Sequence, residues 1–307
     1  MDYQEGDVRS IVGNNFVQKI ESIDSWIHPS FRVSFSDGHS VFLRFSARRK
    51  NVHFRGDDYN FDKDIHVSDL LLANTDVKVP KIFHRGRYNN TEFLIIEDMG
   101  GVNLAEFCNR DIKSAPSQVI RDWGSLMAKV HSIKSDDFGY IGMGGIARKF
   151  DRWSDVVEEY LEMKLDSDII SDDERKGVRN LFSRFRDELD SGRDPRLVLY
   201  NTHGDNLIVR DGKLIGISDV MLAFFGDRSL DFMFPYYFGV GDSFREGYVE
   251  SGGTVPINID ILNKINVMNY YLSTVLNYRD ATDRRRLSWS EDYRKKLRLL
   301  LEENKAI

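Results

Sequence analysis

Leu197-Val-Leu-Tyr-Asn201-Thr-His-Gly-Asp-Asn206-Leu-Ile-Val-Arg-Asp-Gly-Lys-Leu-Ile-Gly-Ile217-Ser-Asp219 is the stretch that decides the fold. It reads as strand, polar loop, strand, tight turn, strand. The apolar runs Leu207-Ile208-Val209 and Leu214 to Ile217 flank Asp211-Gly212, a pair suited to a two-residue hairpin turn. Pairing across that turn brings Asn206 and Asp219 to one end of the hairpin, where two hard oxygen donors can share a Mg²⁺ ion. Gly226-Asp227 and Asp231 follow shortly after.

Upstream, the pattern from Phe16 to about Phe45 is β-rich, with Phe31–Phe35 and Val41–Phe45 flanking the turn Ser36-Asp37-Gly38-His39. Arg44 lies between Leu43 and Phe45, so alternation points it away from the face those two bury. It reads either as a solvated strand arginine or as a cleft cation for phosphate. A basic, polar connection from Ala47 to Asp58 leads to a short amphipathic helix over Phe61 to Ala73, ending near Asn74, with Val67, Leu70 and Leu71 at helical spacing. Asp64 sits in its first turn, where the helix dipole favours an acid, or reaches the cleft between helix and sheet. Strands are expected over Val79–Phe83 and Glu92–Glu97, with a turn from Arg87 to Thr91. The second strand breaks at Asp98-Met99-Gly100-Gly101, a natural hinge because glycine tolerates unusual backbone angles. We place a lobe boundary here, residues 1–97 before it and 98–307 after it.

Beyond Val102 the periodicity is helical. Trp123, Leu126, Met127 and Val130 share one helix face, and His131 at its end reads as structural. Phe138 to Gly145 reads as a glycine-rich loop but has no preceding strand or following Lys-Ser/Thr, so it is not a phosphate loop. Further helices are expected over Trp153–Lys164, Asp173–Leu189, Asp260–Tyr278 and Ser290–Glu303. Glu158, Glu159 and Glu162, with Asp166 and Asp168, form an acidic run that reads as a solvated face, or as an attractor of polycations if it borders a cleft.

The chain has 307 residues, 41% apolar and 30% charged, which suits a globular protein large enough for two lobes. A net charge of −6 argues against non-specific nucleic-acid binding and leaves room for a neutral or cationic substrate. The lone cysteine, Cys108, excludes an internal disulfide and reads as buried packing beside Phe107. The histidines show no zinc-site spacing, no apolar run approaches the roughly 18 residues of a membrane span, and the acidic N-terminus lacks a signal-peptide layout. These features give the expectation of a cytoplasmic protein without a membrane partner.

A β-rich lobe with a strand cation, a helix with an acid, a hinge, and a helical lobe with a two-ligand hairpin make the layout of a kinase. In detail the sequence resembles the aminoglycoside phosphotransferase family, whose fold is shared with choline, homoserine and fructosamine kinases. The resemblance runs from about Phe31 to Asp231. It implies an α+β, bilobal, protein-kinase-like fold with a β-rich N-lobe and a mostly helical C-lobe. It further implies transfer of the γ-phosphate of ATP or GTP, with Mg²⁺, to a hydroxyl of an aminoglycoside, sugar or similar small metabolite.

By the same resemblance, Arg44 looks like the nucleotide-phosphate cation and Asp64 like its helix partner. Glu97 to Met99 looks like the linker whose backbone binds adenine, and Asn206 and Asp219 like the metal ligands. Asn74 to Pro80 is similar to the family segment leading towards the hinge, Val130-His131-Ser132 to the end of a core helix, and Gly226-Asp227 with Asp231 to structural elements after the metal motif.

The catalytic loop departs from the pattern. In the family the general base lies five residues before the metal-binding Asn, and that position here is Asn201. The literal His203-Gly204-Asp205 abuts Asn206 instead. The interval from Asn206 to Asp219 matches the usual spacing, so Leu199, Tyr200 and Asn201 occupy the His-Gly-Asp places. Either Asn201 or a re-aimed Asp205 faces the acceptor. The alternative reading is a nucleotide-binding pseudokinase, a regulatory or interaction module.

Overall fold

The computed structural model describes residues 3–13, 15–23, 25, 28–46, 61–142, 145–279 and 284–304. The connection expected from Ala47 to Asp58 lies outside them. The chain opens with α1 (Glu5–Val12), a helix that sequence reading did not place; its Val8 packs with Phe31, Val33, Leu43, Phe45 and Phe93. Strands β1 (Val17–Ile23), β2 (Ser30–Phe35) and β3 (Ser40–Phe45) follow as an antiparallel meander. Along β3, Leu43 and Phe45 are fully buried and Arg44 between them is not, as alternation requires. Helix α2 (Phe61–Asn74) joins two cores: Phe61 packs with Leu94, Ile96 and Met221, while Val67 and Leu71 belong to the larger core built mostly from later residues.

Strands β4 (Ile82–Tyr88) and β5 (Thr91–Glu97) complete a five-stranded sheet in the order β1-β2-β3-β5-β4. The strand expected over Val79–Phe83 therefore begins later. Pro80 has no N–H for a ladder, and the residues before it turn towards the central hairpin, where the Lys78 carbonyl accepts from Ile217 N at 3.0 Å. The β4–β5 turn rests on Asn89 and Asn90, both left-handed. After β5, Gly101 has φ 96°, and a Cβ there would stand 2.4 Å from the carbonyl oxygen of Val209. Only glycine lets the crossing lie that close to the hairpin. Strand β6 (Val102–Asn103) then pairs with Ile208 and Val209.

Helices α3 (Leu104–Phe107) and α4 (Ser117–Val130) come next, with the expected apolar face of α4 buried. The segment read as a glycine-rich loop is instead a hairpin, β7 (Phe138–Gly142) with β8 (Gly145–Phe150). Gly139 serves close strand packing there, since a Cβ would meet the Arg148 carbonyl. Helix α5 (Trp153–Leu165) matches expectation, but the single helix expected to Leu189 divides at Phe185 into α6 (Asp172–Arg184) and α7 (Arg186–Leu189). Phe185 leaves helical geometry (ψ 19°) and packs against the core.

Strand β9 (Arg196–Val198) precedes the central hairpin, β10 (Leu207–Arg210) and β11 (Lys213–Ile217), which turns on Asp211 (φ 53°) and Gly212 (φ 73°). Two positive φ values make this the mirror-image turn that matches strand twist. Strand β12 (Phe224–Gly226), unforeseen, pairs with β7 and β9. Among the described residues the last four helices are α8 (Ser229–Tyr237), α9 (Gly241–Glu250), α10 (Ile259–Asn277) and α11 (Arg284–Glu303), the last starting before the expected Ser290.

One buried carboxylate fastens these parts behind the polar loop. Asp231, in the first turn of α8 and fully buried, accepts from Leu199 N at 2.8 Å, Tyr200 N at 2.7 Å and His131 Nε2 at 3.1 Å. Because a carboxylate only accepts, His131 carries its proton on Nε2, and Nδ1 accepts a hydrogen bond from the Tyr248 hydroxyl at 2.9 Å. Burial holds the Tyr248 phenol up at about 12, so it remains a donor. His131 is thus structural. Replacing Asp231 by Asn leaves one oxygen for two backbone N–H groups and turns an NH₂ towards a donor. We expect Asp231→Asn to destabilise the protein by roughly 2–4 kcal/mol, measured as a shift of the urea midpoint.

Candidate active site

The polar loop after β9 ends in a small cluster of side chains. Asn206 sits just before β10, and its carbonyl accepts from Ser218 N at 2.9 Å, which closes the hairpin one residue before Asp219. The Asn206 side-chain nitrogen donates to the Asn201 carbonyl at 2.8 Å, and the Asn201 side-chain nitrogen donates to Asp219 Oδ2 at 3.4 Å. Asn201, Asn206 and Asp219 are therefore one constellation. The other Asp219 oxygen accepts from Met221 N at 3.1 Å, which fixes the carboxylate rotamer. Tyr200, with φ 59°, turns the chain so that the residue after it enters this cluster.

Asp205 points elsewhere. Its carboxylate pairs with Arg110 at 2.5 Å and lies 3.5 Å from His203 Nδ1, and its side chain is 46% exposed. The hydrogen bond to His203 and the Arg110 cation hold its carboxyl below the usual carboxylate range, which weakens it as a base. His203 packs its ring edge against Phe234 of α8. The two residues that could face an acceptor thus have different partners: Asn201 the metal-ligand candidates, Asp205 a surface arginine.

Across the cleft, Arg44 of β3 pairs with Asp64 of α2 at 3.4 Å and reaches the Ser218 carbonyl at 3.5 Å, beside the Asp219 end of the hairpin. Arg44, Asp64, Ser68, Pro80, Ile82, Ile96, Ser218 and Val220 line a cleft between the sheet, α2 and the hairpin. Burial pushes the Asp64 carboxyl up to about 6 despite the opposing pull of Arg44, with the Asp219 charge adding to the rise. His28, which sequence reading missed, is buried behind these residues. Its Nδ1 meets the Phe45 carbonyl at 3.0 Å and its Nε2 meets Met221 Sδ at 3.2 Å. Burial, then the Arg44 cation, lowers its imidazolium to about 4. A lone histidine between Ile27 and Pro29 carries no sequence signal for this.

At the linker, Glu97 N donates to the Lys81 carbonyl at 2.8 Å and the Glu97 carboxylate accepts from Lys81 N at 3.1 Å. The Met99 carbonyl accepts from Arg210 at 3.2 Å, a tie between linker and hairpin. Between them Asp98, which sequence reading did not single out, binds Arg32, Ser40 and Gly100 N. These contacts fix the linker's path.

The donor set at the hairpin end suits Mg²⁺. One carboxylate and one amide oxygen leave most positions to water and phosphate oxygens, the usual arrangement for this ion. Among the described residues no group of three His, Cys, Asp or Glu side chains could form a metal cage. The acidic run on α5 reads as a neutralised surface: Glu158 pairs with Arg186, Glu159 with Arg148 and Glu162 with Arg179. Cys108 is buried, and desolvation followed by the Asp111 charge raises its thiol above the ordinary range, so it is packing rather than nucleophile. No helix among the described residues is long and apolar enough to cross a membrane.

The model of the phosphotransferase enzyme family matches residues 19–260. No curated protein is similar enough in sequence to match. Among solved structures, an aminoglycoside phosphotransferase, APH(2″)-IIIa in complex with GDP and kanamycin, superposes with a TM-score of 0.70 at 14% identity, covering 97% of this chain and 98% of that one. A thermostable mutant of aminoglycoside phosphotransferase APH(4)-Ia, in ternary complex with AMP-PNP and hygromycin B, gives 0.69 at 14% identity over 99% of each chain. The macrolide 2′-phosphotransferase MphH from Brachybacterium faecium gives 0.63 at 15% identity over 96% of each. With a family match over most of its length and the β-rich and helical lobes of these enzymes, the chain belongs to the phosphotransferase enzyme family and has its protein-kinase-like fold.

Proposed function

We propose that the protein is a cytoplasmic, Mg²⁺-dependent kinase that transfers the γ-phosphate of ATP or GTP to a hydroxyl of an aminoglycoside, sugar or similar small metabolite. The observation that carries this reading is the convergence of Asn201, Asn206 and Asp219 at one end of the hairpin, facing the Arg44–Asp64 pair. In this reading Asn206 and Asp219 hold Mg²⁺, which neutralises charge on the transferring phosphate when bound. Arg44 meets the nucleotide phosphates, Asp64 orients Arg44, and backbone groups of Glu97 to Met99 take the base. The boundary between the nucleotide-binding lobe and the acceptor-binding lobe falls after Glu97. Nucleotide and acceptor complexes of the similar enzymes support the two-substrate scheme.

Asn201 faces the acceptor hydroxyl in this scheme. Its amide orients that hydroxyl but cannot take its proton. General-base assistance is worth about 10²–10⁴-fold, whereas a largely dissociative phosphoryl transfer depends mainly on alignment and charge stabilisation. The protein is therefore a slow kinase on this reading. The pseudokinase alternative rests on the same residue, Asn201, and predicts Mg²⁺-dependent nucleotide binding with no acceptor-stimulated turnover.

Turnover against a panel of aminoglycosides, macrolides and sugars separates the two. We expect Asn201→Asp to raise kcat by about 10²-fold or more, Asp205→Ala to change it by less than about threefold, given a solvent-exposed pair, and Asp219→Ala to abolish Mg²⁺-dependent nucleotide binding measured by calorimetry. Collapse of turnover in Asp205→Ala with nucleotide affinity intact would move the acceptor role to Asp205. Absence of acceptor-stimulated phosphate release for every compound would leave the pseudokinase.

The cleft charges also set a pH dependence. Asp64 is raised from 3.8 to about 6, so the folded protein binds its proton more readily than the unfolded chain, and acidification through that window stabilises. His28 is lowered from 6.5 to about 4, so there the unfolded chain binds the proton more readily, and the same acidification destabilises. The two effects oppose each other. Asp64→Asn removes only the first, so its stability in urea should fall more steeply than wild type between about pH 6 and pH 4.5. Parallel curves would show that Asp64 takes up no proton in that window.

A further inference from the structure

Lys164 of α5 is 1% exposed, is not among the cleft-lining residues and is unused in the scheme above. A buried ammonium is costly unless it is well partnered. Its Nζ donates to Asn269 Oδ1 on α10 and lies 4.6 Å from the centre of the Tyr160 ring. Asn269 is fully buried, and its Nδ2 donates to the Tyr200 hydroxyl at 3.3 Å. The Asn269 amide thus has its oxygen towards Lys164 and its nitrogen towards the Tyr200 hydroxyl, the sense that a donor at Lys164 favours. An aliphatic residue in its place would leave that amide free to turn over.

Tyr200 is the residue before Asn201 and holds a left-handed backbone, a conformation that bulky residues keep only where their surroundings impose it. Asp231 holds its N–H, and Asn269 holds its ring. The same face of α10 carries Asn266, whose Nδ2 donates to Ser229 Oγ at 3.2 Å in the first turn of α8, the turn that carries Asp231. One helix therefore grips both the loop and the helix that anchors the loop. Burial drives the Lys164 ammonium well below the ordinary lysine range.

We propose that Lys164 and Asn269 are positioning residues for the loop from Tyr200 to Asn206, fixing the Tyr200 ring and through it the direction in which Asn201 presents its side chain. The catalytic consequence rests on the reading that Asn201 faces the acceptor; the positioning itself does not.

The test uses Lys164→Met, which keeps the volume and removes the donor, and Tyr200→Phe, which deletes one oxygen. Protein labelled with ¹⁵N at asparagine gives the Asn201 side-chain amide signal, identified by its loss in Asn201→Asp. We expect that signal to move or broaden in both variants while the amide of Asn74, at the far end of α2, stays in place. We expect the Kd for Mg-ADP to stay within about twofold and kcat to fall about tenfold with acceptor KM unchanged, the pattern of lost alignment. A merely structural lysine would lower the urea midpoint and leave the Asn201 signal and kcat untouched; that result in both variants overturns the proposal. Should Lys164→Met fail to fold, Tyr200→Phe decides alone. The amide signal is read without turnover, so a protein that phosphorylates nothing would refute the kinase reading and still report on the positioning.

Discussion

Asp231 accepts two consecutive backbone N–H groups, those of Leu199 and Tyr200, and the imidazole N–H of His131 inside a core where water cannot substitute. Much of the C-terminal arrangement depends on that carboxylate. The end of β9 would otherwise leave two buried donors unsatisfied, at a cost of about 1–3 kcal/mol each. Meeting both from one side chain ties the polar loop to α8, and His131 ties α8 to the end of α4. The loop therefore leaves the sheet in a fixed direction. Its left-handed turn at Tyr200 sends Asn201 to the end of the hairpin that Asn206 and Asp219 share. Local strain at one residue is offset by three buried hydrogen bonds around it.

A second dependence crosses the cleft. Arg44 comes from the five-stranded sheet, Asp64 from a helix that packs into both cores, and Ser218 from the hairpin. Their meeting places positive charge next to the candidate metal ligands before any nucleotide arrives. Phe61, Leu94, Ile96 and Met221 hold that meeting from behind, since Met221 follows Asp219 closely and packs against the N-terminal sheet. The Asp219 carboxylate and the sheet that supplies Arg44 are thus joined through one apolar contact. Gly101 makes the linker crossing compatible with this geometry, because the chain passes directly over the Val209 carbonyl.

What was legible in the sequence was what depends on local signals. The Asp211-Gly212 turn, the alternation around Arg44 and the limits of α2 are each written within a few residues. The count back from Asn206 pointed to Asn201, whose hydrogen bonds with Asn206 and Asp219 bring it to the hairpin end. Other features depend on partners distant in sequence. Strand β12 exists because Phe224 and Phe225 fill the gap between β7 and β9, and three residues carry no periodicity. Strand β4 starts late because Lys78 is drawn to Gly216 and Ile217. His28 and Lys164 are ordinary polar residues in sequence, and only the fold removes them from water.

Asn201 and Asp205 show how far a motif and a position can separate. The spelling His203-Gly204-Asp205 is that of a catalytic sequence, yet its carboxylate is held by Arg110 and His203 on the outer side of the loop. Asn201 has a neutral side chain, yet it is the one touching Asp219. An amide in that place also has a physical merit. A carboxylate beside Asp219 would repel it whenever the metal was absent, and one of the pair would have to take up a proton. An amide donates to Asp219 instead and keeps the cluster assembled without the ion. On the proposed kinase reading, exchanging a base for a hydrogen-bond donor would trade proton transfer for preorganisation, slowing the chemistry while preserving the site.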